Sequence, residues 1–103
     1  MKIRNIRAQK ITKTVARLCQ EANYFLPNDV HRALKQAHKT EASSLGRKTL
    51  DQLLANAQLA TEAKMAMCQD CGIAVVYLEI GQDTHITGGN LYEAINEGVR
   101  QGY

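Results

Sequence analysis

The chain has 103 residues, a length that fits one small domain. Leu, Ile, Val and Phe together supply only 23 residues, and there is no Trp. This composition predicts a thin core that completes its packing against another segment or subunit, and it excludes a membrane span because no apolar run approaches ~18 residues.

The net charge of +3 is concentrated near the amino terminus. A basic segment of this kind is compatible with a nucleic-acid-binding arm or a transit peptide, but no aromatic residues or nucleic-acid motif accompany it. We favour a solvated helix face and expect no nucleic-acid partner. Free thiols without an export signal predict a cytoplasmic protein. The basic residues that precede the first acid, Glu21, are Lys2, Arg4, Arg7, Lys10, Lys13 and Arg17.

The first two predicted helices lie on either side of Pro27. The first ends near Asn23, and the second begins at Asn28 as its cap, with Asp29 in the first turn. His31 and His38 share one face of the second helix about 10 Å apart, too far to hold one metal ion, so we expect them to be solvated. The predicted buried stripes are Ile11, Val15, Leu18, Cys19 and Ala22, then Val30, Ala33, Leu34 and Ala37.

A break at residues 43–46, with Gly46 as the breaking residue, separates the second helix from a third that runs to about Lys64. Residues 73–80 form a near-continuous apolar run, which predicts a strand buried on both faces and paired with strands outside this sequence. A fourth helix is predicted from Asn90 to about Val99. The predicted fold class is α+β and mostly helical, with about four helices and one or two strands, an incomplete piece of a larger α/β catalytic domain.

The segment Cys68-Gln69-Asp70-Cys71-Gly72 carries several side chains that can react or bind a metal, and it lies between the third helix and the predicted strand. Two thiols, an amide and a carboxylate share one tight turn that Gly72 permits. Taken alone, the Cys-x-x-Cys spacing is compatible with half a zinc site, a redox pair or two unrelated thiols. No second pair completes a zinc site, and a thioredoxin-type pair would open a helix rather than lead into a strand.

This segment resembles the Cys-Gln-Asp-Thr-Gly signature of the iron–sulfur (class I) fumarate hydratase and tartrate dehydratase family. Cys71 stands where the family usually has Thr. The catalytic subunits of the family are several times longer, so residues 1–103 look like the amino-terminal portion of an alpha subunit. Further matching blocks lie, in the family's order, at residues 26–30, 41–46, 56–57, 80–89 and 94–103.

The resemblance implies reversible hydration of a dicarboxylate double bond on a 4Fe-4S cluster. It implies that Cys68 is one cluster ligand, that Gln69 and Asp70 bind substrate, and that Asp70 is the catalytic acid/base. The other ligands would lie beyond Tyr103, so the isolated chain would be inactive.

The same resemblance implies that the partners are the remainder of the alpha subunit and/or a beta subunit, in a homo- or hetero-oligomer, with a small dicarboxylate as substrate. A block at residues 81–86 looks closer to fumarate hydratases than to tartrate dehydratases. L-tartrate dehydratase and a non-catalytic truncated fragment are the alternatives. A metal or redox module that uses Cys68 and Cys71 comes third.

Overall fold

The computed structural model describes residues 2–103 and confirms the mostly helical α+β prediction. It forms two compact units, one containing residues up to Glu21 together with Gly72–Tyr103, the other containing Ala22–Cys71. Across residues 2–103, no helix is long and apolar enough to cross a bilayer. The elements in chain order are β1 (Arg4–Arg7), α1 (Ala8–Tyr24), α2 (Asn28–Thr40), α3 (Ser44–Ala63), a 3₁₀ turn (Gln69–Gly72), β2 (Thr84–Thr87) and α4 (Leu91–Gly102).

In the first unit, β1 and β2 pair in parallel, with Arg4 opposite Thr84 and Arg7 opposite Thr87. The predicted basic helix face is therefore wrong for Arg4–Arg7, because this segment finds its hydrogen-bonding partner far along the chain. A four-residue strand is too short to display an alternating pattern. The prediction holds for α1, where Lys10, Lys13 and Arg17 are all exposed.

Helix α4 packs closely on α1 through small residues. A Cβ atom added at Gly98 would lie 2.7 Å from the carbonyl oxygen of Thr12, so only glycine permits this approach. The Thr12 hydroxyl donates a 2.8 Å hydrogen bond to the Ala94 carbonyl oxygen across the same contact. A Cβ atom added at Gly102 would likewise lie 2.8 Å from the carbonyl oxygen of Ala16. The helix prediction is confirmed, although the helix runs to Gly102 rather than to Val99.

In the second unit, the predicted buried stripe of α2 is wrong. No residue of α2 is buried, and Val30 is 41% exposed, because the facing helix α3 buries only the small side chains of Ala57 and Ala60. The cap is also displaced by one position, since Pro27 precedes the helix and Asn28 lies inside it. Asp29 lies in the first turn, as expected.

The sequence predicted that His38 is solvated, but its side chain contacts a residue of α3. Its Nε2 atom lies 2.8 Å from Asp51 Oδ1 on α3, and its side chain is 35% exposed. The pair joins α2 to α3 within the second unit. Spacing along α2 alone gave no sign of this partner, because it lies on a different helix.

The predicted break at Gly46 is wrong as well. Ser43 caps α3 by accepting a 3.2 Å hydrogen bond from the Gly46 amide, which places Gly46 in the first helical turn. The chain is non-helical at residues 41–43 instead. A Cβ atom added at Gly46 would lie 2.7 Å from Cδ of Glu41, whose flexible side chain would have to move aside.

The predicted buried strand at residues 73–80 does not form. This segment has no regular secondary structure, and its side chains are exposed, with Ile73 at 80% and Tyr77 at 92%. A strand needs a neighbour to satisfy its backbone groups, and the two strands within residues 2–103 pair with each other. Pairing of this segment with strands from elsewhere stays a prediction. The buried hydrophobic residues, which fit a thin core, are Ala8, Val15, Ala57, Ala60 and Ala94.

Candidate active site

The Cys68–Gly72 motif lies on a single tight turn, as its sequence predicts. Residues Gln69–Gly72 form one turn of 3₁₀ helix, and the Cys71 amide donates a 3.3 Å hydrogen bond to the Cys68 carbonyl oxygen. Cys68, Gln69 and Asp70 are exposed, whereas Cys71 is half-buried. The turn therefore exposes a thiol, an amide and a carboxylate, from three consecutive residues, to solvent.

The chain reverses just before this turn, at the end of α3. Lys64 adopts a left-handed conformation with φ of 53°, and its amide donates to the Ala60 carbonyl oxygen. The Met65 amide donates to the same oxygen at 3.1 Å. A left-handed residue after the last helical turn is a common helix ending, and here it directs the chain into the motif.

The peptide groups of Met67, the residue before Cys68, are held on both sides. Its amide donates a 3.0 Å hydrogen bond to the Asn23 carbonyl oxygen at the end of α1. Its carbonyl oxygen accepts a 2.7 Å hydrogen bond from Asn56 Nδ2 on α3. Asn23 and Asn56, both in the second unit, therefore fix the entry to the motif turn.

Asn56 is a site-supporting residue that sequence reasoning missed. From the sequence, Asn56 stands out only as part of a matching block, because an asparagine within a helix gives no indication of a partner eleven residues later. Thr61 makes a related contact, in which its hydroxyl donates a 2.7 Å hydrogen bond to the Tyr24 carbonyl oxygen. Both side chains of α3 therefore donate to main-chain carbonyl oxygens, Asn56 to that of Met67 and Thr61 to that of Tyr24.

The two thiols of the motif are close together and unbonded. The Sγ atoms of Cys68 and Cys71 lie 3.6 Å apart, and both cysteines are free. Cys19, the third cysteine, is a half-buried free thiol in the contact of α1 with α4, where its Cβ would lie 2.8 Å from a Cβ added at Gly102. This position fits the packing role predicted for Cys19, although its burial is only partial.

The donor set of the turn fits one ligand position of an iron–sulfur cluster. An exposed thiol is a soft donor of the kind such iron sites use, and Cys68 is the more exposed of the pair. Within residues 2–103, no group of three or more His, Cys, Asp or Glu side chains is arranged to hold a metal ion.

His85, to which the sequence assigns no chemistry, lies on β2 in the first unit, where it is exposed and in register with Asn5.

The carboxyl of Glu97, also in the first unit, has a pKa well below its ordinary value. Hydrogen bonds from Arg100, and then from Gln101, lower the pKa of Glu97 to about 2. The pair Glu97 and Arg100 lies on α4 one turn apart and serves as a surface ion pair.

Comparison with known proteins places the chain in a family. Residues 12–103 match the family described as fumarate hydratase (fumerase). A protein of Methanocaldococcus jannaschii, provisionally named L(+)-tartrate dehydratase subunit alpha, is 37% identical over 93 residues, which are 89% of this chain and 33% of that protein. The chain thus spans 33% of the length of this curated relative. No solved structure matches the chain. The chain belongs to the fumarate hydratase family of hydro-lyases, in agreement with its Cys-Gln-Asp motif.

Proposed function

We propose that residues 1–103 are the amino-terminal portion of the catalytic alpha subunit of a 4Fe-4S hydro-lyase that interconverts fumarate and malate. One observation carries the proposal. The family match covers residues 12–103, and within it Cys68, Gln69 and Asp70 are exposed on one anchored turn. Exposure of all three is what a site completed by another segment requires.

Cys68 is the residue that would hold the cluster. Its thiol is exposed and follows the anchored peptide of Met67, so its position is set before any ligand arrives. A 4Fe-4S cluster with one iron free of protein ligands would supply a Lewis acid for the substrate hydroxyl and carboxylate. The remaining ligands would come from beyond Tyr103.

Gln69 and Asp70 divide the tasks of binding and proton transfer. The Gln69 amide donates hydrogen bonds without adding charge, which suits recognition of a substrate carboxylate next to a metal-bound group. Asp70 offers a carboxylate that can hold a proton at Oδ and exchange it with the substrate carbon or with the leaving water. Both side chains adjoin Cys68, so substrate bound by Gln69 would lie close to the cluster.

The partners follow from the same proposal. The relative from Methanocaldococcus jannaschii is named as a subunit alpha, which supports a beta subunit as a partner of this chain. The exposed apolar residues at 73–80 support packing against the remainder of the alpha subunit or a further subunit. Three free cysteines are compatible with a reducing compartment such as the cytoplasm.

L-tartrate dehydratase is the second candidate, and a specific observation favours it. The relative that is 37% identical carries that name, and the two activities share the removal of water from a hydroxylated dicarboxylate. A truncated, non-catalytic fragment is the third candidate. An assay on fumarate, malate and L-tartrate distinguishes the first two.

The decisive experiment uses the polypeptide encoded by the reading frame extended beyond Tyr103, together with its beta subunit. After anaerobic reconstitution with iron and sulfide, we expect a 4Fe-4S spectrum and hydration of fumarate. Residues 1–103 alone, treated identically, should give neither.

Turnover by residues 1–103 alone would contradict the view that essential parts lie elsewhere. Activity on L-tartrate without activity on fumarate would select the second candidate. A reading frame that adds no further cysteines, with no cluster after reconstitution, would leave the non-catalytic fragment.

A further inference from the structure

The two cysteines of the motif are arranged for a reaction that cluster binding does not need. Their Sγ atoms lie 3.6 Å apart, the van der Waals contact distance of two sulfurs, and both thiols are free. A disulfide has an S–S distance of about 2.05 Å, so bond formation needs a further approach of about 1.5 Å. Side-chain rotation on an exposed turn supplies such a movement without rearranging a packed core.

The two thiols differ in access. Cys68 is exposed, whereas Cys71 is half-buried on the same turn. Cys68 is therefore the more accessible thiol to an oxidant from solvent, and Cys71 supplies a second thiol 3.6 Å away. An accessible thiol with a resolving cysteine beside it is the usual arrangement of a reversible redox site.

We propose that Cys68 and Cys71 form a hydroperoxide-oxidisable dithiol, and that its disulfide withdraws Cys68 from cluster binding. The first half rests on the geometry of the turn alone. The second half rests on the proposed function, in which Cys68 is a cluster ligand. The second thiol is present because the residue at position 71 is Cys, where the signature that the motif resembles has Thr.

The reaction proceeds in two balanced steps. The Cys68 thiolate attacks one oxygen of a hydroperoxide, so that an S–O bond forms, the O–O bond breaks, and hydroxide or an alkoxide leaves with a proton from solvent. The Cys71 thiolate then attacks Cys68 Sγ, so that the S–S bond forms, the S–O bond breaks, and hydroxide leaves and takes up a proton from solvent. The two sulfurs give up two electrons in total, and the peroxide oxygens accept them.

The test begins with the reduced chain, free of metal, treated with one equivalent of hydrogen peroxide and then alkylated. Peptide mapping by mass spectrometry should find the segment with Cys68 and Cys71 lighter by two hydrogens and unalkylated, with Cys19 alkylated. Cys71→Thr and Cys71→Ser should instead trap a Cys68 sulfenic acid, detected as its dimedone adduct. Circular dichroism confirms that each variant keeps its helices.

The second part of the test separates this proposal from the proposed function. In the complete enzyme without its cluster, prior oxidation should prevent cluster loading, and dithiothreitol should restore it fully. In Cys71→Thr, excess peroxide should cause a loss that dithiothreitol does not reverse, because a sulfenic acid without a resolving thiol is oxidised further.

Either of two results would overturn the dithiol itself: peroxide that leaves Cys68 and Cys71 both alkylatable, or a disulfide that instead contains Cys19. A mapped Cys68–Cys71 disulfide that has no effect on cluster loading would keep the dithiol but reject its coupling to Cys68 ligation. An enzyme that loads no cluster even when fully reduced would reject the proposed function and leave the disulfide result standing.

Discussion

Asn56 Nδ2 donates a 2.7 Å hydrogen bond to the main-chain carbonyl oxygen of Met67, the residue directly before Cys68. The opposite side of Met67 is held by the carbonyl of Asn23, at 3.0 Å from its amide. The start of the motif turn is therefore fixed by a side chain from α3 and a backbone group from α1. Asn56 acts through Met67 and is a positioning residue, since it does not itself offer a reacting group.

Asn56→Asp should loosen the motif turn, because a carboxylate of the same shape cannot donate to the Met67 carbonyl. A hydrogen bond of this kind contributes about 0.5–1.5 kcal/mol, so amide hydrogen exchange at Cys68–Cys71 should accelerate about two- to tenfold. Gln58→Glu is the matched control, because Gln58 lies on the same helix and donates to Glu62 instead. Equal acceleration in both variants would mean that α3 is weakened generally and that Asn56 has no special role.

The side chains of the motif should separate by role when they are substituted in the complete enzyme. Cys68→Ser should lose the cluster, since a hard hydroxyl replaces a soft thiolate on iron. Asp70→Asn should retain the cluster and lose about 10²–10⁴-fold in turnover, because a nearly isosteric amide cannot take up the proton. The measurements are the cluster absorption spectrum and the initial rate of fumarate hydration.

Cys71→Thr is the control for this series, because Thr is the residue of the signature that the motif resembles. Cluster content and turnover in the absence of oxidant should be close to those of the unsubstituted enzyme. If Cys71→Thr abolishes cluster binding while Cys68→Ser spares it, the ligand assignment is wrong. Cys71, rather than Cys68, would then be the candidate cluster ligand of this turn.

The contact of α1 with α4 predicts that Gly98→Ala destabilises the fold. Alanine is normally the better helix former, by about 1 kcal/mol over glycine. Here the added methyl would lie 2.7 Å from both the Thr12 carbonyl oxygen and Val15 Cβ, so the helices must move apart, at a cost of about 1–3 kcal/mol. Denaturant unfolding measures the change, with exposed Asn96→Ala on the same helix as the control. A variant as stable as the parent would show that the contact is looser than the structure indicates.

The sequence predicted those parts of the fold that depend on local signals. The four helices were predicted from apolar spacing, and all four are present. The tight turn at Cys68 was predicted from the run of small and polar residues that ends in Gly72. In each case the residues that determine the structure lie within one or two helical turns of each other.

The sequence failed where the partner lies far along the chain. Strand β1 depends on β2, which begins at Thr84, and the contact of His38 depends on Asp51 of another helix. The apolar run at residues 73–80 predicted a buried strand, and this prediction is wrong for residues 2–103, because a strand forms only when a neighbour pairs with it. The hydrogen bond from Asn56 to the Met67 carbonyl oxygen was missed for the same reason, because these residues are eleven positions apart and meet only when the chain reverses after α3.

The surface pair on α4 predicts a pH dependence with a defined sign. The pKa of Glu97 is lowered from 4.5 to about 2, first by the hydrogen bond from Arg100 and then by that from Gln101. A carboxyl whose folded pKa is depressed contributes stability above its unfolded pKa and loses that contribution as the pH falls through the folded value. The contribution of Glu97 should therefore be complete above about pH 4.5 and disappear toward pH 2.

Arg100→Gln should raise the pKa of Glu97 toward its ordinary value, because the largest cause of the shift is removed. A carbon-13 NMR titration of the Glu97 side-chain carboxyl measures this directly, and Arg17→Gln on α1 serves as the control that should leave the midpoint unchanged. The melting temperatures of Arg100→Gln and the parent should differ at neutral pH and converge as the pH approaches 2, since protonated Glu97 no longer attracts Arg100. A midpoint for Glu97 near 4.5 in the parent, unmoved by Arg100→Gln, would mean that the ion pair does not persist in solution, as many exposed pairs do not.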